Sequence, residues 1–305
     1  MCIRDRSVAG RQSLKGTLHS GSIIIDSHGA DGANVGGAHP DVWMENAQLK
    51  TAQGGWLTVL GATIGISGSV LAAPQGRLRI GGGAYGGEGL VTSLDVRIDQ
   101  TSALDASSVG AGSTGGTVVV WSDEFTHFAG MVAARGGEGG RGGWVEISSK
   151  EILGYEGTID VTAVKGTAGS VLFDPRTITI ATTGLASVVG NQFFNQSPSA
   201  DRQLSVSALT DILNTGASVT LQANRDILVQ ASIVVNNPGG NGGTLTLEAG
   251  RSVIFSNVSY NSDGGGLFIT ANEQDASEIN RGSGLGVINL SGASIQLGSG
   301  RLQLQ

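Results

Sequence analysis

The sequence predicts an all-β fold: a right-handed parallel β-helix (β-solenoid) with about 18–27 residues per rung. Three observations carry this. Glycine supplies 51 of 305 residues, while proline supplies 5 and charged residues 14%, so glycine is far above its usual level. The chain is 39% apolar, and its Val, Ile and Leu fall in short clusters, unlike a polar disordered linker. A pair of small residues recurs ahead of a short strand of alternating pattern, the mark of an internal repeat.

Aligned on that pair, the strands read GG-TVVVWS from Gly115, GG-WVEISS from Gly142, AG-SVLFDP from Ala168, GA-SVTLQA from Gly216, GG-TLTLEA from Gly242 and GG-GLFITA from Gly264. The second strand position is Val118, Val145, Val171, Val219, Leu245 and Leu267; the fourth is Val120, Ile147, Phe173, Leu221, Leu247 and Ile269. All are apolar. The third position, with Val119, Glu146 and Thr220 among its members, is mixed. Period two with one constant apolar side means one buried face. Ile23/Ile25, Leu57/Val59, Leu78/Ile80 and Val96/Ile98 are earlier candidates for the same column. The interval from Val171 to Val219 is close to two repeats.

A second strand follows inside most units, as in FAGMVAAR, YEGTIDVTA and SGSVLAAP. One rung cannot bury its apolar face alone, and stacking joins these faces into a core. At about 4.8 Å per rung, roughly twelve rungs give a rod on the order of 60 Å long. Glycines are expected where corners need positive φ. SVSALTDILNTG predicts one short helix, with Ser207 as N-cap, Leu209, Ile212 and Leu213 on one face, and Gly216 past its end. The organisation is therefore 8–180 as β-helix, 181–216 as an excursion with that helix, and 217–305 as continued rungs. Residues 1–7, MCIRDRS, fit neither a signal nor the strand pattern and are read as a non-native scar.

Net charge is −7, which disfavours nucleic acid as a partner, since binding phosphates needs a basic face. The single cysteine, Cys2, closes no internal disulfide. No apolar run reaches the ~18 residues of a membrane helix, so no membrane span is expected, and no signal peptide is visible. Three matches to G-x-G-x-x-G occur, at Gly81/Gly83/Gly86, Gly110/Gly112/Gly115 and Gly137/Gly139/Gly142. A dinucleotide fingerprint needs a helix at the last glycine. After Gly115 and Gly142 comes a strand instead, and the glycines are read as corners.

Across residues 115–180 four blocks occur in order: VVVWSD, FAGMVAARGG, GGWVEIS and LFDP. In this they resemble the large filamentous haemagglutinin-like exoproteins of Gram-negative bacteria. LSVSALTDILNTGASVTLQANRDILVQASIVV is similar to the segment that follows in that family. The resemblance implies a secreted, cell-surface-associated β-helical adhesin. It implies as partners an outer-membrane two-partner-secretion transporter and a glycan or protein receptor on a host or neighbouring cell. Such proteins carry an N-terminal secretion domain, which is not seen here, so the chain reads as an interior fragment.

No catalytic, cofactor-binding or metal-binding residue is assigned, and no cofactor is expected. WSDEFTHF gathers Asp123, Glu124 and His127, which suits general acid/base work on a sugar. On one strand Asp123 and Glu124 face opposite ways, so a solvated turn is the simpler reading. His28, Asp31, His39 and Asp41 share a glycine-rich loop, and His19 stands apart; none shows ligand spacing. Trp43, Trp56, Trp121 and Trp144 sit at strand ends, as packing or, where exposed, as stacking platforms for a sugar or receptor. Asp174-Pro175 closes a strand, with the carboxylate expected to bond local N–H groups. The alternative to an adhesin is a carbohydrate-active β-helix enzyme, a lyase or glycosidase.

Overall fold

A computed structural model describes residues 2–4, 12–27, 41–182, 203–276, 281 and 283–305. Among them are 29 strands, one α-helix and one 3-10 turn, and the paired strands run parallel. The chain forms two compact units. The first holds the described residues up to Lys150 together with Gly157–Gly169; the second holds Glu151–Glu156 and the described residues from Ser170 to Gln305.

In the first unit one sheet runs in the order Cys2–Arg4, Ile23–Asp26, Trp56–Leu60, Arg77–Ile80, Thr117–Val120 and Trp144–Ser148. Cys2–Arg4, inside the segment read as a scar, is thus a paired strand. Two further faces meet in Asp41–Thr51, whose first half pairs Thr63–Ser67 and whose second half pairs Val70–Ala72. Beyond it the faces separate. Thr63–Ser67, Asp95–Ile98 and Phe125–Phe128 form one. Val70–Ala72, Ala103–Asp105, Met131–Ala133 and Thr158–Asp160 form the other. A rung such as Thr117–Ala133 therefore has three short strands joined by bends, which is a parallel β-helix.

The repeat alignment holds residue by residue. Val118 pairs with Leu78 and Val145, and Val120 with Ile80 and Ile147. Ile23, Leu57 and Leu78 precede them in the column, all fully buried. Val96/Ile98 does not belong there. It pairs with Ile64/Ile66 on the second face, because every face of the helix buries alternate residues and so shows the same period.

In the second unit the first face is Ser170–Asp174, Ser218–Ala223, Leu245–Ala249, Leu267–Ala271 and Leu302–Leu304. Val171 pairs directly with Val219. The long interval between them is one rung carrying an excursion, not two rungs. Residues 183–202 lie outside the described residues. The second face runs Ile152–Tyr155, Gln203–Ser205, Ile178–Ala181, Asp226–Val229, Ser252–Phe255 and Ile288–Asn289. Ile233–Val234, Ser259–Asn261 and Ser294–Gln296 form the third.

The helix is Val206–Asn214, with Leu209, Ile212 and Leu213 buried on one side and Gly216 at φ +80° past its end. Its N-cap is Ser205, not Ser207. The strand Gln203–Ser205 runs straight into the helix, so sheet pairing sets the boundary. Neither serine is spent on capping; their hydroxyls bond each other at 2.7 Å.

Most paired glycines serve close approach. A Cβ on Gly76, Gly116, Gly143 or Gly169 would fall well inside contact distance of the carbonyl oxygen of Gly55, Gly76, Gly116 or Gly143 one rung below. The same holds for Gly243 over Ala217 and Gly265 over Gly243. The small pair before each strand is where neighbouring rungs touch backbone to backbone. Positive φ is needed at turn tips such as Gly139 (φ +71°), and there Lys165 (φ +54°) fills the matching place one rung on.

Candidate functional site

The acidic cluster does not assemble into a shared site. Asp123 is half-buried at a bend, where it accepts a hydrogen bond from Thr92 Oγ1 at 2.6 Å and an ion pair from Lys150 at 3.3 Å. Its own N–H donates to the Ser93 carbonyl. Glu124, next in the chain, is exposed. His127 lies on the strand beyond, opposite Arg97, with its ring stacked 6.5 Å from Phe125. The Arg97 guanidinium carbon sits 4.3 Å from the Phe125 ring centroid. Burial, and then the positive Arg97, push the His127 imidazole down to about 4, so it is neutral near pH 7. Burial raises the nearby Asp95 carboxyl, Arg97 pulls it down, and Glu124 adds to the rise. The imidazole is thus tied to an Arg–Phe stack and not to Asp123.

His28, Asp31 and His39 lie outside the described residues, and Asp41 begins the strand Asp41–Thr51. His19 is exposed on Gln12–Ser20. Among the described residues no three His, Cys, Asp or Glu side chains are grouped to hold a metal ion, and no helix is long and apolar enough to cross a membrane.

The G-x-G-x-x-G at Gly81–Gly86 is a different object from the other two. It opens a loop that folds back over the outside of the first sheet. The Tyr85 N–H donates to both carboxylate oxygens of Glu146, at 3.1 and 3.2 Å. Glu146 occupies the outward third position of its strand yet has 0% exposure, because this loop roofs it. Arg79 pairs with Glu88 at 2.6 Å on the loop's far end. The Trp121 indole fills the space that a side chain at Gly82 or Gly86 would need. A glycine-rich turn aimed at an anion is the usual phosphate cradle; here the anion is the protein's own carboxylate.

Beside that roof runs a second outward column, exposed at Trp56 and Arg77 and half-buried at Thr117 and Trp144. Trp56, Arg77, Thr117 and Trp144 stand side by side on successive rungs. Trp56 is 55% exposed and Tyr85 62%. The Tyr85 ring leans on Trp144 with centroids 6.0 Å apart. Trp43 and Trp121, by contrast, are buried. On the other side of the column stand the turns at Ala52–Gly55 and Ala73–Gly76, closed by the Gly55 and Gly76 N–H groups. Across them the Gln53 amide donates to Gln75 at 2.6 Å. The sequence marked both outer tryptophans but not Arg77, Tyr85 or the loop; the mixed third position was the only trace of Glu146.

In the second unit the Asp174 carboxylate accepts no hydrogen bond among the described residues, in place of the local N–H bonding expected of it. Burial, and then the negative Glu248, push its carboxyl up to about 7. In the neighbouring strand Gln222 donates to Glu248 at 2.7 Å. Glu151–Arg176 and Asp226–Arg251 are ion pairs at corners.

No family model matches the chain, and no curated protein is significantly similar to it. The structure itself defines the class: a nearly all-β protein of long parallel sheets wound as a β-helix.

Proposed function

We propose that this chain is the structural β-helix of a secreted, cell-surface-associated adhesin of the filamentous haemagglutinin-like kind. It works by presenting lateral side chains, without catalysis. One observation supports the reading most. The four blocks that carry the resemblance coincide with strands of the ladders: Thr117–Val120, Phe125–Phe128 with Met131–Ala133, and Trp144–Ser148 in the first unit, and Ser170–Asp174 in the second. Each block is on this reading a piece of a rung, and the outward residues are the ones that packing leaves unconstrained. On this reading an outer-membrane two-partner transporter exports the protein, and its receptor is a glycan or protein on another cell.

A carbohydrate-active enzyme is the second reading, and Asp174 favours it. A carboxyl held protonated near neutral pH, about two rungs or ~10 Å from Glu248, has the look of an acid/base pair. The Gln222 amide lying on Glu248 weighs against it, because it occupies the would-be base. Incubating the purified protein with intact glycans and with host cells, then analysing the sugars by mass spectrometry, separates the two. Binding without cleavage is expected. Cleaved products, lost in the Asp174→Asn variant, would replace the adhesin reading, and absence of binding to every cell and glycan would end it.

A further inference from the structure

We propose that the open column Trp56–Arg77–Thr117–Trp144, walled by Tyr85, binds a linear oligosaccharide with a uronate carboxylate on an internal sugar. The inference rests on the adhesin reading and gives it a ligand class. Four outward residues follow one another in strict register, so at about 4.8 Å per rung the two tryptophans stand ~14 Å apart, the span of a short sugar chain. Aromatic rings at both ends suit stacking on pyranose faces. Trp56 is 55% exposed and Tyr85 62%, so large aromatic surface faces solvent at both ends of the column.

The charge between them selects the sugar. Arg77 is exposed and forms no ion pair among the described residues, whereas its neighbour Arg79 is taken by Glu88. In a chain of net charge −7 this is an uncommitted guanidinium, and its planar fork matches a carboxylate. Because Arg77 lies between the two aromatics, the matching carboxylate belongs inside the sugar chain and not at a terminus, which favours uronates over sialylated ends. The shape agrees. The roofing loop on one side and the turns carrying Gln53 and Gln75 on the other leave a strip one strand residue wide, suited to an extended chain and not to the broad face of ~800 Å² per partner that a stable protein interface buries. The loop is fixed in advance by the Tyr85–Glu146 and Arg79–Glu88 contacts, so little ordering accompanies binding.

The test is titration of the whole protein with linear trigalacturonate, uncharged galactotriose and sialyllactose, read by tryptophan fluorescence and calorimetry. Trigalacturonate should bind tightest and weaken with salt. Trp56→Ala should weaken it by roughly tenfold or more. Arg77→Gln should abolish the preference for the acidic over the uncharged sugar. Val109→Ser, at a 90% exposed position elsewhere, should change nothing. All three substitutions are outward, and unchanged circular dichroism and melting establish that each variant is folded. Tighter binding of sialyllactose, or trigalacturonate binding untouched by Trp56→Ala and Arg77→Gln, overturns the proposal. If such variants still adhere to cells, the proposed sugar column fails while the adhesin reading stands; failure of the wild-type protein to adhere to any surface sinks both.

Discussion

Replacing Asp174 by asparagine removes an ionisable group whose folded and unfolded states differ sharply. Its carboxyl is pushed from 3.8 up to about 7 by burial and by Glu248. The difference is roughly 3 units, or about 4 kcal/mol at most. The folded pKa lies above the unfolded one, so between pH 4 and 7 the folded chain holds a proton that the unfolded chain has released. Stability is therefore greatest below about pH 4 and falls as the pH rises through 7. Above pH 7 the folded state carries a half-buried charge with no hydrogen-bond donor among the described residues. An amide of the same shape carries none. Asp174→Asn is expected to match the wild-type protein at pH 4 and to exceed it at pH 8 by up to about 4 kcal/mol. Hydrogen exchange of the strand Ser170–Asp174 in urea at several pH values reads this locally, which matters because two units need not unfold together. A gain that is the same at every pH, or a carboxyl carbon of Asp174 that titrates below pH 5 by NMR, would refute the reasoning. Glu248→Gln should lower the Asp174 midpoint only part of the way, since burial is the larger cause.

In the first unit the sign reverses: His127 is held at about 4 against 6.5, so up to about 3 kcal/mol of stability is lost as the pH falls from 6.5 to 4. His127→Gln should remove that acid sensitivity in thermal melts. Gly143→Ala drives a methyl into the Gly116 carbonyl and should cost about 1–3 kcal/mol or more; Gly139→Asn, with open space around it and Lys165 already in that conformation one rung on, should cost under about 1 kcal/mol, both read by urea denaturation. Glu146→Ala leaves the Tyr85 N–H without this acceptor, at about 1–3 kcal/mol, and should speed exchange of the amides between Gly81 and Glu88.

What was legible in the sequence was whatever repeats. The inward columns through Val118 and Val120 could be aligned by eye because stacking demands the same apolar side at every rung. The helix face of Leu209, Ile212 and Leu213 was legible for the same reason at a different period. What failed is local and unrepeated. Val96/Ile98 carries the pattern of every face and so could not declare its own. Ser205 begins the helix because a strand delivers it there. Asp174 follows the strand-ending pattern of a turn but finds no donors among the described residues, a fact of its surroundings and not of its neighbours in the chain. The roofing loop was hidden by composition: in a chain so rich in glycine, G-x-G-x-x-G has little power to single out one loop from corners.

Two uses of glycine, and not one, explain how this chain is both rigid and free to vary. The glycines before each strand let successive backbones touch, and a side chain there would push rungs apart, so these positions are fixed by the stack itself. The inward residues are fixed as well, by burial. Only outward positions escape both demands, and they lie in straight columns with one residue per rung. A column whose members need satisfy no packing can change its chemistry without changing the fold. In the first unit one such column is sealed beneath the Gly81–Glu88 loop, where Glu146 accepts from the Tyr85 N–H. The adjacent column carries two tryptophans, an arginine and a threonine. Sealing the one and baring the other needs no flexible element, because the loop is held at Glu146, at Arg79 and over Trp121. The same glycine-rich turn that in other settings receives a phosphate is satisfied here from within, and its consequence is the placement of Tyr85 against Trp144 at the edge of an open strip.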